Sequence, residues 1–228
     1  MTPSQKPVII FGMKSFARLA RYCLVHDARR QVAAFTVDAA YVSKESHEGL
    51  PLIAFEELAE RFPVSDHDVL VPLGFRGLHA LRMGKCAQAK AMGYRLTHYV
   101  STRAIVWPDT TIGENVLIYE QANLQPMVSL GQNVTIRAGA NIGHESVIGD
   151  HCFIASGAIT GGHVRIGERC WLGLGAVVRD SVRIADRCFI GAGAVVVSDT
   201  EPDGVYVGNP AKRLIGKTSR DVTMGGND

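Results

Sequence analysis

The sequence predicts a small α/β domain over residues 1–98, a parallel β-helix over 99–215, and a short tail at 216–228. Three observations point there. Apolar runs and helical patterns alternate up to about residue 98, aliphatic residues recur every sixth position from Val100, and three cysteines lie 18 residues apart.

In the first part, "PVIIFG" is a short apolar run stopped by Gly12, the composition of a buried parallel strand. "SFARLARYCLVHD" then places Phe16, Leu19, Ala20, Cys23 and Leu24 on one helical face. "QVAAFTVD" reads as a second strand ending in Asp38, "FEELAERF" as a short helix and "DVLVPLG" as a third strand. "HALRMGKCAQAKAMG" is a further helix closed by Gly93. Strand and helix in alternation make a small parallel, Rossmann-like sheet.

From Val100 the period changes. Sixteen of the seventeen positions reached in steps of six, ending at Val196, are Val, Ile or Leu, and Thr160 is the exception. Four residues beyond each lies a small or modest side chain, from Ala104 to Thr200. A helix cannot use period six, because its apolar face recurs every 3.6 residues. A fixed short period means a solenoid, and hexads of this kind form parallel β-helices. Three hexads make one coil of a triangular prism, so the seventeen hexads give about five to six coils, stacked roughly 4.8 Å apart. Cys152, Cys170 and Cys188 then occupy one inward column of successive coils and need no metal or redox role.

Bulk composition removes several functions. The chain has 228 residues, a net charge of +2 and no basic stripe, which argues against a nucleic-acid partner. It has no apolar run of membrane-spanning length. The start "MTPSQKPVIIFG" lacks the build of a signal peptide, and the five cysteines fit reduced thiols, so a cytoplasmic location is expected.

In a solenoid the repeating positions hold the fold, so chemistry belongs where the pattern is decorated. His144 is an outward residue with Glu145 beside it, and one coil above lies Gly162, next to the break at Thr160. His144 is expected to take a proton from an attacking amine or hydroxyl, with Glu145 on its other ring nitrogen. Two adjacent glycines are expected to leave an open lane with bare amides, that of Gly162 serving an oxyanion. His151 and His163 read as surface or interface groups. Ile118, Tyr119, Trp171, Leu172 and Phe189 are taken as outward residues suited to an interface or to packing on the α/β domain.

"NIGHESVIGDHCFI", "TGGHVRIGERCWLGLGAVV" and the closing "VYVGNPAKRL", behind a small α/β domain, resemble the left-handed β-helix, hexapeptide-repeat sugar acyltransferases. The likeness is to sialic acid O-acetyltransferases and nucleotide-amino-sugar N-acetyltransferases. The resemblance implies a homotrimer with active sites between subunits, using acetyl-CoA and no metal. It implies His144 as general base with Glu145 as its partner. It also places pantetheine along Gly162 and Ala192, and the phosphate end of CoA near Gly208, Pro210, Ala211, Lys212 and Arg213. The spacings among His144, His151 and His163, 7 and 12, are not those of the carbonic anhydrases on the same solenoid, which pair two ligands five apart.

The family's Gly-rich, histidine-bearing sugar-nucleotide loop is represented here by "FGMKSFA", which lacks the extra glycines and the histidine. Gly12, Lys14 and Ser15 at a helix start still suit a phosphate, Asp38 a ribose or base edge, and Arg82 stands where the family often has an arginine. The expected reaction is acetylation of the amine of a nucleotide-linked amino sugar. O-acetylation of a sugar or other small alcohol, and a non-catalytic scaffold, are the alternatives.

Overall fold

The computed structural model describes residues 6–75 and 77–223. Residues 1–5, on which the leader reading partly rests, and 224–228 of the tail lie outside the described residues. The chain divides into two compact units. One runs through Gly74 and takes in Ala80–Tyr99, whereas the other combines Phe75–His79 with the chain from Val100 onward.

The α/β unit holds a six-stranded sheet of β1 (Val8–Phe11), β2 (Val32–Val37), β3 (Ser46–His47), β4 (Leu50–Ala54), β5 (Asp68–Leu70) and β6 (Arg95–Leu96), in the order β3-β4-β2-β1-β5-β6. All neighbours pair in parallel except β3 with β4. Helices α1 (Ser15–His26) and α3 (Ala80–Ala91) flank the sheet in sequence, with the single-turn α2 (Leu58–Arg61) between them. β1 is buried throughout, as its unbroken apolar run requires. Sequence reasoning missed the β3–β4 hairpin and β6, which are short or interrupted by Pro51. At the start of β5, Asp68 is fully buried between Arg30 and Arg95.

The second unit is the expected solenoid. Seventeen two-residue strands, from Tyr99–Val100 to Val195–Val196, fall six, six and five to three parallel sheets. Each strand pairs with the one 18 residues away, Thr135 with Phe153 and Ile136 with Ile154 for example. The six-step aliphatics and the small residues four positions on form one continuous core, with Ile118, Ala122, Ile136, Ala140, Leu172 and Ala176 fully enclosed. Burying each large aliphatic is worth about 1.5–3 kcal/mol, and the repeat multiplies that along the prism. Cys152, Cys170 and Cys188 are wholly buried in this core, and burial raises the Cys188 thiol to about 11.

Non-glycine residues in the left-handed region mark the corners: Asn115, Asn133, His151, Arg169 and Arg187 at one, Met127, Glu145, His163 and Ser181 at another. Polar ladders support these turns. Asn115 donates to Asn133 at 2.7 Å, and Asn133 meets His151 Nδ1 at 3.0 Å, so His151 belongs to a corner ladder.

The residues expected at an interface or against the α/β domain are placed otherwise. Ile118 and Leu172 point into the core, and Tyr119 is buried beneath Arg137. Trp171 stacks between Phe153 and Phe189, and Phe75 from the unit's own Phe75–His79 segment covers Trp171 and Phe189 at 5.2 and 5.6 Å. Period six tells which residues face out, but not which of them the chain itself covers. The exposed large apolar residues among those described in this unit are instead Ile105, Trp107, Met127, Ile159 and Leu174, with Val197, Val207 and Ile215 toward its end.

Candidate active site

The break in the aliphatic series at Thr160 has a local purpose. Pairing between the strands there is reduced to Asn141 with Ile159, and the Thr160 hydroxyl accepts the Gly143 amide at 3.0 Å. That amide immediately precedes His144, whose own N–H donates to Gln125 Oε1 at 3.0 Å. The backbone under the histidine is thus fixed by two side chains from the coils on either side of it.

The imidazole of His144 is 47% exposed. Its Nδ1 lies 3.6 Å from Glu145 Oε1, an electrostatic contact just beyond hydrogen-bond length. The other oxygen of Glu145 lies 3.4 Å from Nδ1 of His163, one coil above. The two imidazoles meet edge to face with centroids 4.9 Å apart. Their backbones are locked together, because the His163 N–H donates to the His144 carbonyl at 2.8 Å and the Glu145 N–H to that of Pro126 at 3.0 Å.

The glycine lane differs from the expectation. A Cβ on Gly162 would stand 2.5 Å from His144 Nε2 and 2.6 Å from Cε1, so the imidazole itself fills the space above Gly162. The Gly162 amide is also not bare. It donates to Asp180 Oδ1 at 2.8 Å, while the Gly162 carbonyl accepts the Ser181 amide. Gly162 therefore seats the histidine ring, and its N–H is already committed where a free oxyanion donor was expected. Sequence reasoning missed His163, Asp180 and Gln125. The signal existed: His163 is one 18-residue coil above Glu145, and Asp180 one above Gly162.

The remaining expected residues lie apart from this cluster within the solenoid unit. Ala192 is exposed, at a different corner from His144 and Gly162. Gly208, Pro210 and Ala211 form the turn of the closing hairpin between strands Gly204–Val207 and Lys212–Thr218. Val195 clamps this turn by donating to the Gly208 carbonyl and accepting the Ala211 amide. Lys212 is exposed, whereas Arg213 is paired with Glu201.

In the α/β unit, Gly12 adopts φ +104° and donates to the Thr36 carbonyl at 2.7 Å, closing the turn from β1 into α1. Lys14 caps that helix without a side-chain bond and Ser15 begins it, both exposed. Asp38 is ion-paired with Lys85, which sequence reasoning did not single out. The Lys85 ammonium also bonds Gln88 and lies 5.2–5.4 Å over the rings of Phe55 and Phe11. Arg82 corrects the expectation of a ligand contact. It is fully buried and donates to the Leu73 carbonyl at 3.2 Å, so it supports the segment after β5.

A prism of hexads carrying an outward His–Glu pair, with a small α/β unit on the same chain, has the left-handed β-helix fold built from hexapeptide repeats. Comparison with known proteins agrees. The family described as bacterial transferase hexapeptide (six repeats) matches residues 127–162 and 163–198. The structure is similar to PerB from Caulobacter crescentus solved with CoA and GDP-perosamine, at 25% identity and TM-score 0.82, over 91% of this chain and 97% of that one. It is equally similar to the acetyltransferase domain of PglB from Neisseria gonorrhoeae, at 25% identity and TM-score 0.81, covering 92% of this chain and all of that domain. WeeI from Acinetobacter baumannii shares the fold at 20% identity and TM-score 0.67, over 91% of this chain and 99% of that one. No curated protein matches the sequence.

Proposed function

We propose that the protein transfers an acetyl group from acetyl-CoA to the amine of a nucleotide-linked amino sugar, with His144 as general base. The observation that carries this is the exposed His144 imidazole, seated on Gly162 and flanked by the Glu145 carboxylate. Two further structures similar to this one, at 25% identity, are histidine-substituted forms of perosamine N-acetyltransferase in complex with CoA and GDP-perosamine. The neisserial domain has been solved with acetyl coenzyme A.

In this reading the sugar amine attacks the thioester carbonyl and gives its proton to His144. The tetrahedral intermediate then collapses, the C–S bond breaks, and the CoA thiolate recovers that proton. Glu145 steadies the imidazolium formed in between. Ala192 lies along the pantetheine arm, while Gly162 seats the ring of the base. Gly208, Pro210 and Ala211 shape the turn beside the CoA phosphates, and Lys212 supplies the unpaired cation. Gly12, Lys14 and Ser15 take the sugar-nucleotide phosphates. Asp38 takes the ribose or base edge by exchanging its bond to Lys85.

The reaction is tested by thiol release from acetyl-CoA with UDP-, dTDP- and GDP-linked 3-amino and 4-amino sugars. We expect release with one nucleotide series only. Release with free sugar alcohols and with none of these amines would overturn the assignment in favour of O-acetylation.

A cytoplasmic homotrimer with sites between subunits completes the proposal. No helix among the described residues is long and apolar enough to cross a membrane. Trp107, Ile159 and Leu174, 50%, 45% and 61% exposed, supply apolar surface that a trimer would cover. Light scattering should give three times the chain mass of 24.6 kDa. A monomer at micromolar concentration would remove the shared-site arrangement.

A further inference from the structure

The third member of the cluster around the proposed base, His163, has no part in the reaction as derived. One nitrogen from each of His144 and His163 and a carboxylate oxygen of Glu145 all lie within 4.8 Å of one another. Two imidazoles and a carboxylate are a common donor set for Zn²⁺, which binds such atoms at about 2.0–2.2 Å and holds them about 3.3 Å apart in a tetrahedron. The Glu145 carboxylate already lies near that distance from both rings, 3.6 Å from His144 Nδ1 through one oxygen and 3.4 Å from His163 Nδ1 through the other. Drawing all three donors onto one ion takes rotation of side chains that are 45–51% exposed. The backbone beneath them does not have to move. Glu145 and His163 occupy equivalent corner positions of successive coils, tied by the hydrogen bond from His163 N–H to the His144 carbonyl.

We propose that His144, Glu145 and His163 form an inhibitory site for Zn²⁺ or a similar imidazole-preferring divalent metal, which shuts off the enzyme by binding His144 Nδ1 and so holding the ring's one proton on Nε2, where the base needs its lone pair. Exposure on the outer corner gives the ion a path in and leaves its remaining coordination positions to water. Hard cations such as Mg²⁺ prefer oxygen donors and are excluded by the two imidazoles. The metal site stands on geometry alone, whereas the inhibition rests on His144 being the base.

The test is calorimetric titration of untagged full-length protein with ZnCl₂ at pH 7.5, alongside Zn²⁺ inhibition of acetyl transfer and its reversal by EDTA. We expect one Zn²⁺ per chain with micromolar affinity, weakened at least tenfold in both His163→Ala and Glu145→Gln. Acetyl transfer by His163→Ala should lose its sensitivity to Zn²⁺, read as the ratio of its own rates with and without the metal. Absence of saturable binding, or binding unchanged in His163→Ala, would overturn the site. Binding that behaves as expected without inhibition of an active enzyme would leave the metal site standing and remove His144 from the role of base. The calorimetry remains readable even if no acceptor is found.

Discussion

Gly162→Ala is expected to lower kcat for acetyl transfer by about 10²-fold or more, with little change in the far-UV spectrum and in the KM for acetyl-CoA. The new methyl would lie 2.5 Å from His144 Nε2, 2.6 Å from Cε1 and 3.0 Å from Cδ2. Side chains do not tolerate such contacts, so the imidazole has to leave its seat beside Glu145 and His163. An outward ring that is 47% exposed can rotate without disturbing the core. His144→Ala should cost about the same, in the range of 10²–10⁴ for loss of a general base. The double variant should be no worse than His144→Ala, because both changes act through one group. Turnover by His144→Ala should partly recover as pH rises, since a deprotonated sugar amine needs less help. Full wild-type turnover in Gly162→Ala would mean that the base is not this ring in this position.

That result turns on a feature the sequence carried only in part. Period six placed His144, Gly162 and Thr160 in register because a solenoid converts sequence spacing directly into vertical neighbours. It also placed Cys152, Cys170 and Cys188 in one buried column, as the structure shows. Direction within an outward position was not legible. The ring of His144 turns up onto Gly162, Asp180 reaches down to the Gly162 amide, and His163 leans onto Glu145. Each choice follows from side-chain rotation at a corner, which leaves no periodic trace. The α/β unit was harder still, because its pairings are not periodic. Nothing in the local sequence announces that Lys85 will meet Asp38, or that Arg82 will turn inward to the Leu73 carbonyl.

The same limit applies to Asp68, which no sequence pattern singles out and whose replacement should have the largest effect on stability. Asp68→Ala is expected to destabilise the α/β unit by about 3–5 kcal/mol at pH 7. The carboxylate has no exposure and receives Arg30 Nη2 at 2.9 Å, Arg95 Nη2 at 2.6 Å and Arg95 Nε at 2.8 Å. Arg95 is 63% exposed and can turn to water, but Arg30 is 7% exposed and would keep only Thr97 and the Lys6 carbonyl as neutral partners. Burial alone would raise the Asp68 carboxyl, yet hydrogen bonds and charge from Arg95 and Arg30 outweigh it and hold the group below its ordinary value. A depressed carboxyl stabilises the fold fully above its unfolded value, about 3.9, and loses that contribution as pH falls through the folded value. The gap between wild type and Asp68→Asn should therefore be widest near neutrality and close in acid below that range. Hydrogen exchange of peptides spanning Val8–Phe11 and Asp68–Leu70 reads this unit without relying on Trp107 and Trp171, which both belong to the solenoid. Equal protection in wild type and Asp68→Asn at pH 7, or a gap that persists unchanged at pH 3, would show that the buried charge cluster is not what holds β5 against β1.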